Sequence, residues 1–184
     1  MELEELQGRV KAALRSCQDI ISANKNVVLS EGDLERLVCK CISNAIEEDV
    51  CNPHDFSVHS QVSHYFEKDG KTTVDARVDI LLLKESELHG KINHKEFKYE
   101  GDSLAIELKY LHRNDSISKV KCDFCKWSYL KEESWMYVVV LIDGNSEDDI
   151  SEKEKIIKSM WEDKKNEVST KRHCLCYYVL RKIV

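Results

Sequence analysis

The residues whose types and spacing could do chemistry lie in two short apolar runs, VDARVDILLL (residues 74–83) and SLAIELKY (residues 103–110). Each joins β-branched and aliphatic residues between charged or turn-prone flanks, which is the pattern of a β-strand. Side chains alternate faces along a strand. In the first run Val74, Ala76, Val78, Ile80 and Leu82 share one face, and Asp75, Arg77 and Asp79 share the other. In the second, Leu104, Ile106, Leu108 and Tyr110 oppose Ser103, Ala105, Glu107 and Lys109. A carboxylate inside so apolar a run as RVDILLL is costly to bury without a task. Glu-x-Lys places an acid and an ammonium side by side on its strand. Two carboxylates with an adjacent cation suit hydrolysis of a phosphodiester, where a divalent metal neutralises the phosphate and makes a hydroxide near neutral pH. Mg2+ or Mn2+ takes hard oxygen ligands. Asp79 and Glu107 would supply two, and the backbone carbonyl of Leu108 a further one. Lys109, pointing into the same cleft as Glu107, would orient the attacking water or stabilise charge growing on the phosphate.

The elements that must position these residues are legible on either side. Leu3, Leu6, Val10, Ala13, Leu14, Cys17 and Ile21 recur at helical spacing, predicting an amphipathic N-terminal helix to about Ala23 that serves packing or a dimer contact. Ser30 opens a second helix with Glu31 and Asp33 in its first turn and a stripe of Leu34, Leu37, Val38, Cys41, Ile42 and Ala45. FSVHSQVSHYFE then predicts a strand, with a tight Asp69-Gly70 turn into the strand that carries Asp79. Residues 84–101 are charged and aperiodic, predicting a long connection with room for a small hairpin, in which Lys91, His94, Lys95 and Lys98 could meet a substrate. After a loop with His112 and Arg113, a helix is expected from about Ser116, its stripe formed by Ile117, Val120, Phe124, Trp127 and Leu130. WMYVVVLID predicts a central strand covered on both faces. A helix to about Lys165 and a last strand, HCLCYYVLRKIV, complete the chain.

With Asp79 followed by Glu107 and Lys109 within IELKY, the sequence resembles the PD-(D/E)xK nuclease superfamily, the restriction-endonuclease-like fold. The resemblance covers residues 30–143. One departure is the missing proline of the family name, since Val78 precedes Asp79. The resemblance implies an α/β domain with an αβββαβ core, a central mixed sheet flanked by helices, here with an extra N-terminal helix. It implies carboxylates on one or two divalent ions, and a first core helix that lends a glutamate to the metal, for which Glu31 is the candidate and Glu35 the second choice. It also implies that the helix after the Glu-x-Lys strand borders the substrate groove, so that Arg113, Lys119 and Lys126 would contact phosphate. At their plainest the same lysines are only a solvated helix face.

Length and composition agree with one domain over residues 1–184: the N-terminal helix (1–23), the nuclease core (30–143) and a C-terminal helix and strand (144–184). One Pro and six Gly leave little linker, no apolar run reaches membrane-span length, and MELEELQGRV is not a signal peptide, so no membrane partner and a cytoplasmic location are expected. A net charge of −6 offers no general attraction to nucleic acid, which leaves local basic patches and bound metal to draw it in. The eight cysteines include Cys122-x-x-Cys125 and Cys174-x-Cys176. The first pair is expected inside a helix and the second on a strand, which favours reduced thiols over a structural metal. The expected partner is nucleic acid, DNA before RNA, and a homodimer would let two sites cut two strands. The alternative is a nuclease-fold module that binds nucleic acid or a protein partner without cutting; retention of Asp79, Glu107 and Lys109 together favours the enzyme.

Overall fold

The computed structural model describes residues 3–47, 56–68, 71–84, 88–92, 96–99, 103–126, 134–167 and 174–183. In chain order the elements are α1 (Leu3–Ala23), α2 (Glu31–Glu47), β1 (Phe56–Lys68), β2 (Lys71–Lys84), β3 (Leu88–Ile92), β4 (Glu96–Tyr99), β5 (Ser103–Leu111), α3 (Ser118–Lys126), β6 (Ser134–Gly144), α4 (Glu147–Glu167) and β7 (Leu175–Ile183). A five-stranded mixed sheet runs β1-β2-β5-β6-β7, antiparallel across β1/β2/β5 and parallel across β5/β6/β7. The architecture is α/β, as the alternation of strand and helix patterns predicts. Among the described residues strands β3 and β4 pair only with each other, as a hairpin within the long connection between β2 and β5. The Asp69-Gly70 turn, His94, Lys95, Trp127 and Leu130 lie outside the described residues.

Two apolar layers enclose the sheet. On one face Ile80, Leu82, Leu104, Ile106, Leu108, Tyr137, Val139 and Leu141 pack under α1 and α2; on the other Leu81, Leu83, Ala105, Val138, Val140 and Ile142 pack under α3 and α4. Val78 joins the second layer, whereas simple alternation assigns it to the first. The interruption lies across the ladder, where Gln61 of β1 adopts a φ of 55° that an extended strand does not contain. Helix α1 buries Leu6, Val10, Ala13, Leu14, Cys17 and Ile21 against α2 and the sheet, so its apolar stripe is spent within the chain. At its far end the Gln18 side chain exchanges two hydrogen bonds with the Arg181 backbone of β7. Among the described residues no helix is long and apolar enough to cross a membrane.

The start of α2 is fixed locally. Ser30 Oγ accepts from the Asp33 N–H at 3.2 Å, and the Asp33 carboxylate accepts from Ser30 Oγ at 2.9 Å and the Leu29 N–H at 3.1 Å. This reciprocal cap satisfies donors that a helix start leaves open. It leaves Glu31, the first helical residue, free to reach the sheet.

Candidate active site

The site lies where β2 and β5 part. Their ladder runs from Leu83↔Ser103 to Ile80↔Ile106 and ends there, so the next residues, Asp79 and Glu107, face each other across an opening fork. Beyond Ile106 the β5 N–H groups on the β2 edge need other acceptors. Asp79 Oδ2 takes the Leu108 N–H at 2.7 Å, and Glu31 Oε2 takes the Tyr110 N–H at 3.2 Å. Two carboxylates thus replace a strand at this edge.

Glu107 and Lys109 project to the α3 side of the sheet. Glu107 is 1% exposed. Its Oε2 accepts from Lys126 Nζ of α3 at 2.6 Å, while Oε1 is buried without a hydrogen-bond partner among the described residues. Burial pushes the Glu107 carboxyl up to about 8; Lys126 opposes that shift, and the charges of Asp79 and Asp123 add to it. Asp123, also on α3, is 6% exposed, and its Oδ2 lacks a hydrogen-bond partner. It stands between two ammoniums, 4.0 Å from Lys109 Nζ and 3.8 Å from Lys126 Nζ. Burial raises Asp123 to about 6 against the pull of those lysines. Lys109 Nζ donates to Glu31 at 3.1 Å and 3.4 Å. Burial works to lower the Lys109 pKa, but the Asp123, Glu31 and Asp79 charges outweigh it and hold it above its ordinary value. Lys109 is therefore a cation throughout the neutral range.

A second chain of contacts holds Asp79. The Gln61 amide nitrogen donates to Glu35 Oε2 at 2.7 Å and to Asp79 Oδ1 at 3.4 Å, tying α2, β1 and β2 together. Gln61 occupies this place because the β1/β2 register shifts between His64 and Tyr65. A hairpin in the tip register throughout (Lys68↔Lys71) would set Ser60 across from Asp79. The bulge moves Gln61 there instead. Its left-handed φ, uncommon outside glycine, marks local strain at the site.

The structure brings together Asp79, Glu107, Lys109, Glu31 and Lys126, and separates others. Glu31, anticipated as a metal ligand, engages Lys109 and the Tyr110 N–H with its carboxylate, because the capped start of α2 aims it at the β5 edge rather than at Glu107. Lys126, anticipated at a phosphate, lies on Glu107. Lys119 pairs with Asp115 one turn back at 2.5 Å, and Arg113 with Asp143 at 3.6 Å; among the described residues neither bonds to Asp79, Glu107 or Asp123. The Leu108 N–H is engaged by Asp79, and N–H and C=O of one strand residue share an edge, so the Leu108 carbonyl also faces the fork.

Asp123, Gln61 and Lys182 are the polar residues that sequence reasoning missed. Asp123 carried a signal: it lies three residues after Val120 and next to Phe124, both buried, and so sits on the inner face of α3. Lys182 of β7 is buried, donating to the Val28 carbonyl and the Tyr110 hydroxyl, both at 2.9 Å, which braces β5 behind the site. Cys122 and Cys125 are on α3; Cys176 is in β7, and Cys174 lies one residue before that strand begins. Among the described residues no three His, Cys, Asp or Glu side chains converge as ligands of one metal ion. No family model, curated protein or solved structure matches the chain.

Proposed function

We propose that this chain is a divalent-metal-dependent nuclease of the restriction-endonuclease-like fold, hydrolysing phosphodiester bonds in DNA in preference to RNA. The observation that carries the reading is the fork itself, where Asp79, Glu107 and Lys109 meet at the end of the β2/β5 ladder and the buried Glu107 Oε1 has no hydrogen-bond partner among the described residues. Supporting it, the order α2, β1, β2, β5, α3, β6 matches the core that the resemblance implies, with the β3/β4 hairpin as an insertion.

The donor set fits a hard cation. A buried carboxylate oxygen left unpaired is costly, and the site gathers Glu31, Asp79, Glu107 and Asp123 around Lys109 and Lys126, so acids outnumber ammoniums. Mg2+ is commonly held by one or two carboxylates with water and substrate phosphate completing its shell, so a pair of protein carboxylates suffices. Asp79 and Glu107, with the Leu108 carbonyl, would hold Mg2+ or Mn2+, which when bound supplies positive charge to the phosphate and lowers the pKa of water.

The protein's own groups then have separate tasks. Lys109 remains an ammonium, so it holds the attacking water or a phosphate oxygen by donating hydrogen bonds and does not serve as the base. Glu31 and Asp123 orient Lys109 from opposite sides. Gln61 and Glu35 keep Asp79 turned into the fork. Lys126, on the rim of α3, offers a second cation to a phosphate that displaces it from Glu107.

The test is cleavage of supercoiled plasmid, linear duplex, single-stranded DNA and RNA with Mg2+, Mn2+ or EDTA, for wild type and Lys109→Ala. Cutting that needs metal and falls by roughly 100-fold or more in Lys109→Ala is the expected result. A folded protein that cuts none of them with either metal would support the binding module instead.

A further inference from the structure

A second constellation of reactive groups lies away from the fork, at the start of β7. Cys174 immediately precedes β7 and Cys176 is its second residue, and their Sγ atoms are 3.4 Å apart. Neither is sealed in the core: both are half-buried, unlike Cys17 and Cys41. The backbone that carries them is anchored, since the Cys174 carbonyl accepts from the Met136 N–H at 3.0 Å and Cys176 is in register with Tyr137 of β6. The Gln7 amide of α1 also donates to Cys176 Sγ at 3.5 Å. We propose that Cys174 and Cys176 form a redox-active dithiol that hydrogen peroxide converts to an intrachain disulfide.

The step balances with peroxide as the oxidant. Cys174 Sγ, as thiolate, attacks one peroxide oxygen; the O–O bond breaks, hydroxide leaves and is protonated to water, and Cys174 becomes a sulfenic acid. Cys176 Sγ then attacks the Cys174 sulfur, the S–O bond breaks, and a second water leaves. Two thiols have lost two electrons and the peroxide has taken them. Closing the sulfurs from 3.4 Å to the ~2.05 Å of a disulfide rotates both side chains and draws the two Cβ atoms together, a backbone adjustment that falls at Cys174, outside β7. The electrostatics favour Cys174 as the attacking sulfur: the Cys176 thiol beside it lowers its pKa, and Lys165 and Lys11 add to that against the cost of burial. Cys176 is held above its ordinary value by the same contact and by burial, which suits the resolving thiol.

Trypsin cutting after Arg172 and Arg181 releases both cysteines in one peptide, HCLCYYVLR. The full-length protein is treated with hydrogen peroxide, its remaining thiols are alkylated, and the digest is weighed. The expected product is that peptide lacking two hydrogens, unalkylated, and restored by dithiothreitol. Cys176→Ser should leave a sulfenic acid on Cys174 that dimedone traps, and Cys122→Ser, which removes an exposed thiol on α3, should leave the disulfide unaffected. A doubly alkylated HCLCYYVLR peptide after peroxide has oxidised Cys122 would overturn the proposal. So would a disulfide joining either residue to a different cysteine. None of these readouts depends on nuclease activity.

Discussion

At the scale of single residues, the fork assigns neighbouring charges unequal weights. Asp123 is nearly sealed from solvent between Lys109 and Lys126, whereas Lys119 is exposed and paired with Asp115 on its own turn. Replacing Asp123 by Asn keeps the shape but removes the charge that holds Lys109 on the side away from Glu31. The loss of such a supporting partner typically costs about 10–100-fold in activity. Asp123→Asn is therefore expected to lower the metal-dependent cleavage rate by that range, while Lys119→Ala, an exposed i,i+4 pair worth little, stays within about twofold of wild type. Initial rates on one duplex substrate at saturating Mg2+ check both, and equal losses in the two variants would refute the assignment.

At the scale of elements, what was legible in the sequence followed from local periodicity. Strand alternation alone placed Asp79 apart from Ile80 and Leu82, and Glu107 with Lys109, because period-2 geometry is a property of a few consecutive residues. Gln61 was hidden because its position across from Asp79 depends on a register shift three residues away, which no composition signal marks. Glu31 is legible as a helix-start residue, but its contacts with Lys109 and the Tyr110 N–H are not, since the open β5 edge exists only because β2 leaves β5 after Ile106. Asp123 is hard to see in the sequence because the inner stripe of α3 is otherwise defined by apolar residues such as Val120 and Phe124. The strain at Gln61 can be separated from its hydrogen bonds. Gln61→Ala and Gln61→Gly both remove the amide that joins Glu35 to Asp79, but only glycine accepts a φ of 55° freely. The glycine variant is expected to be more stable than the alanine variant by about 1 kcal/mol, measured by urea unfolding. Helix α1 gives a matching prediction. Leu14 is fully buried between α1 and the sheet. Leu14→Ala is expected to destabilise the chain by roughly 2–5 kcal/mol, with no change in oligomeric mass by light scattering, because that face packs within one chain.

At the scale of the whole molecule, a buried site rich in carboxylates couples folding to pH and, on the proposed reading, to cations. Glu107 is raised from an ordinary 4.5 to about 8 in the folded protein, and Asp123 from 3.8 to about 6. Between the unfolded and folded values the native state keeps protons that the unfolded chain has released. The stability these two groups contribute therefore falls as pH rises through that window, and levels off above about 8. Asp33 and Asp115 shift in the opposite direction, but both are lowered from 3.8, so their effect lies below the window; Cys174, lowered from 9.0 to about 6, works against the fall between those values, in the wild type and in Glu107→Gln alike. For a group as buried as Glu107 the span amounts to a few kcal/mol as an order of magnitude. In EDTA, thermal unfolding of the wild type is expected to occur at distinctly lower temperature at pH 8 than at pH 5, where other groups contribute to both proteins alike. Glu107→Gln, neutral at every pH, should flatten that difference substantially. On the proposed reading Mg2+ or Mn2+ takes the ionised carboxylates, and it should then restore stability to the wild type chiefly at the alkaline end, by an amount that grows with the logarithm of metal concentration. Glu107→Gln should respond far less. Parallel pH profiles for the two proteins in EDTA would show that Glu107 is not the group that sets the slope. An equal metal response in both would remove Glu107 from the cation site while leaving the fold as described.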